Sequence, residues 1–382
     1  MLWLWRRGSE LNERGNRVLK EIFAEAQRLG GYDVGETIEG LACKLGKAPS
    51  DILKLNSNEN FFVPLDSLKS VLKEVAEETD PRIYPRDEPL KLKEALGRNM
   101  AVPPEEIVIS AGSDPLIDLV SHMALRRGDE ALSISPTFSI YERCVRLQGA
   151  DYRTIPLRED FSIDVEKMLA SATPRTKLLF LCSPNNPTAN QFSRREIQRL
   201  AEGFDGLIAV DEAYVDFASF SLVDLVGNLK NLIVFRTFSK VFGLAGLRLG
   251  YAVTNRDLAK VMDEKFQLPY SFSLISLKTA LKLLEKIKII KCAVEESKAE
   301  RSRLIEALNQ IPGVHAFGSQ TNFVLFQVRK NSGAICDALL KRGVIVRNIG
   351  QVLCFENCLR VTVAPPHMTD RFLVALRAVL GE

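Results

Sequence analysis

The chain has little of what a disulfide-built, membrane-embedded or nucleic-acid-binding protein needs. Lysine and arginine exceed aspartate and glutamate by only 51 to 48, and the excess is not gathered into a block. So balanced a chain has no basic face to steer it to nucleic acid or to an anionic membrane surface. No apolar run approaches the roughly 20 residues of a membrane span. The start, MLWLWRRGSE, puts its apolar residues before its charges, the reverse of a secretory signal. The seven cysteines, at 43, 144, 182, 292, 336, 354 and 358, are scattered and odd in number, which argues against a disulfide frame and for a reducing, cytoplasmic setting. Cys354 and Cys358 form the one close pair, with His367 nearby, and without a second such pair no metal site is expected. Internal repeats, low-complexity tracts and Pro/Ser-rich linkers are absent too.

What is present is a long chain with ordinary globular composition, 382 residues of which 46% are hydrophobic and 26% charged. That length predicts two domains. After an amphipathic stretch over residues 9–30 and a polar turn, KLNSNEN at 54–60, a helix is predicted around 66–78 and another capped near Asp87. From 107 onward short apolar strands alternate with helical segments: IVIS (107–110), ALSI (131–134), YRTIPL (152–157), KLLFLC (177–182), GLIAV (206–210), NLIVFR (231–236) and LRLGYAV (247–253). Continuous apolar strands separated by helices predict an α/β fold with a mostly parallel sheet covered on both faces, and ligands in such sheets bind at the carboxyl ends of the strands. From 273 to 309 the periodicity is helical. Strands NFVLFQV (322–328), VIVR (344–347) and CLRVTV (358–363), with helices at 332–342 and 369–380, then predict a smaller α+β domain. The divisions expected are 1–50 as an N-terminal arm and part of the small domain, 51–272 as the large domain and 273–382 as the C-terminal small domain.

The motifs fall at those strand ends. Phe235 to Tyr251, FRTFSKVFGLAGLRLGY, places Lys240 among Phe238, Val241, Phe242, Leu244 and Leu247, apolar cover of the kind that lets a lysine lose its proton and act as a nucleophile. Arg248 and the hydroxyls of Thr237 and Ser239 suit an anion, and Gly243, Gly246 and Gly250 permit close backbone approach. The competing reading is an apolar strand-turn with a solvated lysine. Gly112, Ser113 and Asp114 open a helix after a strand, which is an anion site or simply a cap. Ser183-Pro184-Asn185-Asn186-Pro187-Thr188 fixes an amide at a strand end. Val210-Asp211-Glu212-Ala213-Tyr214 closes another strand with carboxylates and a phenol, and no histidine stands at ligand spacing to make them a metal site.

Taken together, the S/T-x-S-K and G-L-x-G-x-R-x-G pattern and these strand-end motifs resemble the aspartate-aminotransferase-like family of pyridoxal-5′-phosphate (PLP) enzymes. The resemblance runs from about Tyr32 to the C-terminus. It implies the PLP-transferase fold and PLP carried by Lys240 as a Schiff base, with Lys240 also moving a proton between substrate and cofactor. It implies a phosphate held by Gly112, Ser113, Asp114, Thr237, Ser239 and Arg248, Phe138 stacked on the ring, and Asn186 and Tyr214 on its phenolic oxygen. Asp211 would meet the pyridine nitrogen, and Tyr84 would reach a neighbour's cofactor across a homodimer. Arg360 would bind a substrate carboxylate, and Asn58, in the segment lining the site mouth, would be a further substrate-binding residue. Arg347, thirteen residues before Arg360, with Tyr32 in Y-x-x-G-E, is similar to the phosphate-binding set of the histidinol-phosphate aminotransferases. This implies small amino and oxo acids as partners, transfer between histidinol phosphate and 2-oxoglutarate, and a place in histidine biosynthesis. An aromatic amino-acid aminotransferase, a threonine-phosphate decarboxylase and a non-catalytic PLP-binding module are the other readings. The decarboxylase lacks its His-Gly-Gly segment here, and the retention of Lys240 with Asp211 argues for turnover. Two departures stand out: Phe61 replaces a family proline, and Ala189 replaces a glycine, so a positive φ at 189 would be strained.

Overall fold

The computed structural model describes residues 17–29 and 35–381, in two compact units, Met1–Glu36 and Thr37–Glu382. Among the described residues of the first is one helix, Arg17–Arg28, with Val18, Leu19, Ile22 and Phe23 exposed along it. Tyr32 lies outside the described residues.

Among its described residues the second unit carries thirteen strands: β1 (Leu53–Lys54), β2 (Ile107–Ser110), β3 (Glu130–Ser135), β4 (Asp151–Pro156), β5 (Thr176–Cys182), β6 (Leu207–Asp211), β7 (Leu232–Thr237), β8 (Gly250–Thr254), β9 (Val314–Ala316), β10 (Phe323–Val328), β11 (Val344–Ile345), β12 (Arg347–Val352) and β13 (Phe355–Thr362). Seven form the large sheet in the order β2-β8-β7-β6-β5-β3-β4. The run from β7 to β4 is parallel, and β8 is antiparallel to both its neighbours. The expected α/β architecture is present, a mostly parallel sheet with helices and a separate smaller antiparallel sheet, β12-β13-β10-β9. Strands β2, β6, β7 and β8 are almost wholly buried, which is why they read as unbroken apolar runs instead of alternating ones.

Local chemistry sets many of the helix boundaries. Ser193 and Glu196 make a reciprocal capping box at the helix Arg194–Gly203, and Asn331 accepts from Ala334 N to open Ser332–Lys341. Asp87, expected as a cap, precedes Glu88–Met100 but makes no capping bond. The helical stretch after 273 is two helices, Leu274–Glu285 and Ile287–Asn309, meeting at Lys286. Three strand predictions change. LRLGYAV begins its strand only at Gly250, because Ala245–Leu247 is a 3-10 turn and Arg248 takes φ 47° to fold back toward the Lys240 segment. VIVR divides, because β11 pairs in parallel with β1 while β12 joins β13 in the other sheet. CLRVTV is the second half of a strand that starts at Phe355.

Parallel register levels the strand ends that matter. Cys182 of β5 is paired with Asp211 of β6, and Asp211 with Phe235 of β7, so the segments that follow these strands emerge side by side.

Candidate active site

Three strand ends and a helix N-terminus build an anion cradle. The helix Ser113–Ala124 leaves its first N–H groups unsatisfied, and Gly112 before it adopts φ 112°. A Cβ on Gly112 would lie 2.9 Å from Arg248 Nη2, and one on Gly250 would lie 2.6 Å from Gly112 C, so this approach requires glycine at both positions. Arg248 Nη1 donates to Ser239 Oγ (3.2 Å), and Nη2 lies 3.5 Å from Asp114 Oδ2. The Thr237 hydroxyl accepts from Ser239 N (3.1 Å) and shapes the same turn.

Lys240 follows this turn. Its Nζ donates to Ser57 O (3.0 Å) and lies 5.7 Å from the centre of the Tyr214 ring. Burial, joined by the cations of Arg360 and Arg248, brings its pKa down to about 8. At Asp211 the opposite holds: burial pushes the carboxyl up to about 6, although Tyr141 Oη (3.0 Å) and Ala213 N (3.0 Å) both donate to it. Glu212, the residue just after the strand, turns to a different set of partners. It accepts from Ser221 Oγ and Leu222 N, both at 2.7 Å, and pairs with Arg236 at 3.2 Å.

Asn186 closes a turn that contains two cis X-Pro bonds, Ser183–Pro184 and Asn186–Pro187. Its Oδ1 accepts from Arg360 Nη1 (2.5 Å), which leaves the amide NH2 as the group it offers. Arg360 also donates to Asn56 O (2.7 Å), and its guanidinium lies 5.2 Å from the Phe323 ring centre. The register pairs Arg347 directly with Arg360 across β12 and β13, on one face of the sheet. Tyr214 is buried, edge-on to Phe323 at 5.1 Å, and its phenol is held well above its ordinary pKa by burial. Phe138, half-buried after β3, meets Tyr141 edge-on at 5.7 Å.

Asn58, expected at the site mouth, is buried with its amide on Tyr214 Oη (3.0 Å). Tyr84 stands apart from the cradle, exposed and stacked on Tyr270 at 4.5 Å. Phe61, in the proline position, is exposed, and Asn60 secures the loop by donating to Val241 O (2.9 Å) and accepting from Phe62 N (3.1 Å). Ala189 does adopt positive φ, 65°, and is fully buried with Ala213, Tyr214 and Phe323. Tyr141 and Phe323 carry no functional mark in the sequence, since each reads there as an ordinary core aromatic. The one signal for Tyr141 is its place three residues after Phe138, which turns it toward the same strand end.

The donor set fits PLP: an anion cradle at a helix N-terminus, a buried carboxylate in need of a cationic partner, a buried phenol, an amide at a strand end, and an amine of lowered pKa. A family model of class I and II aminotransferases matches residues 50–377. The chain is 38% identical over 350 residues to the histidinol-phosphate aminotransferase of Roseiflexus castenholzii, covering 90% of this chain and 93% of that protein. It is 37% identical over 372 residues to that of Methanosarcina mazei, covering 97% and 98%. Among solved structures, histidinol-phosphate aminotransferase from Sinorhizobium meliloti in complex with pyridoxal-5′-phosphate aligns with a TM-score of 0.83 at 26% identity, over 93% of this chain and 96% of that one.

Proposed function

Because the chain belongs to the class I and II aminotransferases, we propose that it moves an amino group between histidinol phosphate and 2-oxoglutarate, using PLP carried by Lys240. Ser113 and Asp114 N–H groups, Ser239 and Arg248 would hold the cofactor phosphate, with Gly112 and Thr237 shaping the cradle. Asp211 would face the pyridine nitrogen, Asn186 NH2 and Tyr214 O–H the phenolic oxygen, and Phe138 the ring. Bound PLP supplies an electron sink for the pair left by a broken C–H bond.

The work of the chain's own residues follows from their placement. The Lys240 amine, with its pKa near 8, is in part neutral at physiological pH, so Nζ is able to take the proton from substrate Cα and return it. Asp211 gains from a cationic partner, because an ionised carboxylate this deeply buried is otherwise unfavourable. Arg360, steadied by Asn186 and Asn56 O, presents a planar donor to an anionic substrate group. Tyr84 and its stacked partner Tyr270 are exposed along with Ile83, Leu90 and Leu268. Apolar exposure on this scale supports a homodimer in which Tyr84 serves the neighbouring site.

The observation that carries the substrate reading is the Arg347–Arg360 pair. The register sets two guanidinium side chains opposite each other on one face of the sheet, and together they offer an anionic substrate group more donors than one arginine does. Histidinol phosphate brings a dianion and no carboxylate, so it has use for a second arginine. Each charge-assisted contact is worth about 1.5–3 kcal/mol. Arg347→Ala is therefore expected to cut kcat/KM for histidinol phosphate by one to two orders of magnitude, about the factor such an energy gives, and to affect glutamate far less. Equal losses with both donors make Arg347 structural. Preference of the unaltered enzyme for phenylalanine over histidinol phosphate would favour an aromatic aminotransferase.

A further inference from the structure

Asn58 is 2% exposed and takes φ 56°. Its N–H donates to Thr362 Oγ1 (3.0 Å), its carbonyl accepts from Asn322 Nδ2 (3.0 Å), and its side-chain Nδ2 lies 3.0 Å from Tyr214 Oη. Thr362 Oγ1 itself donates to Leu55 O (2.9 Å), so a lone pair is what it turns to Asn58. A phenol both donates and accepts, and the sense of the last bond depends on which end of the amide faces it. With Nδ2 toward Tyr214, one buried acceptor, Asn58 Oδ1, has no partner among the described residues. With the ends exchanged, a buried NH2 would be stranded instead, and orphaned donors are the rarer defect. The Tyr214 ring is clamped edge-on to Phe323 in a buried cluster with Ala189 and Ala213, so the direction of its hydroxyl hydrogen is the one freedom left to set.

We propose that Asn58 is a positioning residue that acts through Tyr214: by donating to Oη it turns the phenolic hydrogen outward, to the place where the phenolic oxygen of PLP is held, and does not itself contact substrate. The proposal rests on the PLP reading of the site. It gives the half-buried polar loop 56–60 a task distinct from lining the site mouth. It also accounts for asparagine at 58, which tolerates φ above zero and brings an N–H donor that aspartate, when ionised, does not.

A double-mutant cycle tests it on the PLP-loaded protein. Asn58→Asp replaces the donor by an acceptor, and Asn58→Gly removes it while permitting the same backbone angle. Each is made with Tyr214 and with Tyr214→Phe, and the readout is the pH midpoint of the bound cofactor's visible absorbance. Loss of one hydrogen bond to the phenolic oxygen shifts that midpoint upward by about one unit. Asn58→Asp is expected to give this shift, Asn58→Gly a smaller one and Tyr214→Phe one as large, with no further shift when either Asn58 change is added to Tyr214→Phe. KM for the amino donor is expected to stay within about twofold, since no substrate contact is lost. Shifts that add in the Tyr214→Phe background overturn the proposal. So does a raised KM without a spectral shift, which means direct substrate contact, or loss of the native melting transition in both variants, which means a structural pin only. An unaltered protein that takes up no PLP removes the underlying reading as well, whereas a loaded protein with additive shifts removes this proposal alone.

Discussion

Replacing Asp211 by asparagine is expected to stabilise the protein stripped of its cofactor. Asp211 is 3% exposed at the end of β6, and burial raises its pKa from 3.8 to about 6 despite two donors. A carboxyl whose folded pKa exceeds its unfolded one contributes its full stability below the unfolded value and loses it as pH rises through the folded value. The ionised form therefore weighs against folding above about pH 6, and two units at about 1.4 kcal/mol each amount to about 3 kcal/mol. Asparagine keeps the shape: its carbonyl accepts from Ala213 N, and its amide faces a Tyr141 hydroxyl that is able to accept. Urea unfolding of cofactor-free protein should then show Asp211→Asn about 3 kcal/mol more stable than the parent at pH 8, with the difference gone by about pH 4. Added PLP should reverse the order, because a cationic ring nitrogen stabilises the carboxylate and not the amide. A variant less stable than the parent at pH 8, or a difference unchanged between pH 4 and pH 8, would refute the reasoning.

Three more predictions concern neighbouring parts of the site. In cofactor-free protein the reactivity of the Lys240 amine toward an acylating reagent should rise with pH to a midpoint near 8, because the cation is unreactive below its pKa; peptide mapping of the label checks both site and midpoint. Lys240→Ala and Tyr84→Phe chains, each impaired alone, should regain activity when mixed into heterodimers, and no recovery in verified heterodimers would count against shared sites. At Ala189, φ 65° costs about 1 kcal/mol relative to glycine and the buried methyl returns about 0.8 kcal/mol. Ala189→Gly should thus change the unfolding free energy by under about 1 kcal/mol, while a bulky, β-branched Ala189→Val should destabilise by about 2 kcal/mol or more, both read from denaturant midpoints.

The fold was legible where a single physical rule governed a stretch. Buried parallel strands have to be apolar throughout, so IVIS, KLLFLC and NLIVFR announced the large sheet, and each motif named beside them lies at a strand end or helix start. Partners far apart in the chain were not legible. β1 is two residues long and exists only because Val344–Ile345 lies beside it, and β9 is three residues against β10. Nothing within NSNEN says that Asn58 meets a phenol 156 positions away, and Tyr141 in IYERCVRL reads as core until Asp211 is placed against it.

The same limit explains where local preference fails. Asn58 (φ 56°), Ala189 (φ 65°) and Arg248 (φ 47°) all hold left-handed backbone beside the site, and only the first is a residue type that adopts it readily. Each is held by contacts made elsewhere in the chain: Asn58 by Thr362 and Asn322, Ala189 through its carbonyl by Gln320 N at 2.7 Å, and Arg248 by Ser239 and Asp114. Left-handed conformations of this kind survive only when the surroundings over-determine them. Their gathering around Tyr214 and the anion cradle means that the framework fixes these groups before any ligand arrives, and a site preorganised in this way stabilises developing charge without reorganising at the moment of reaction.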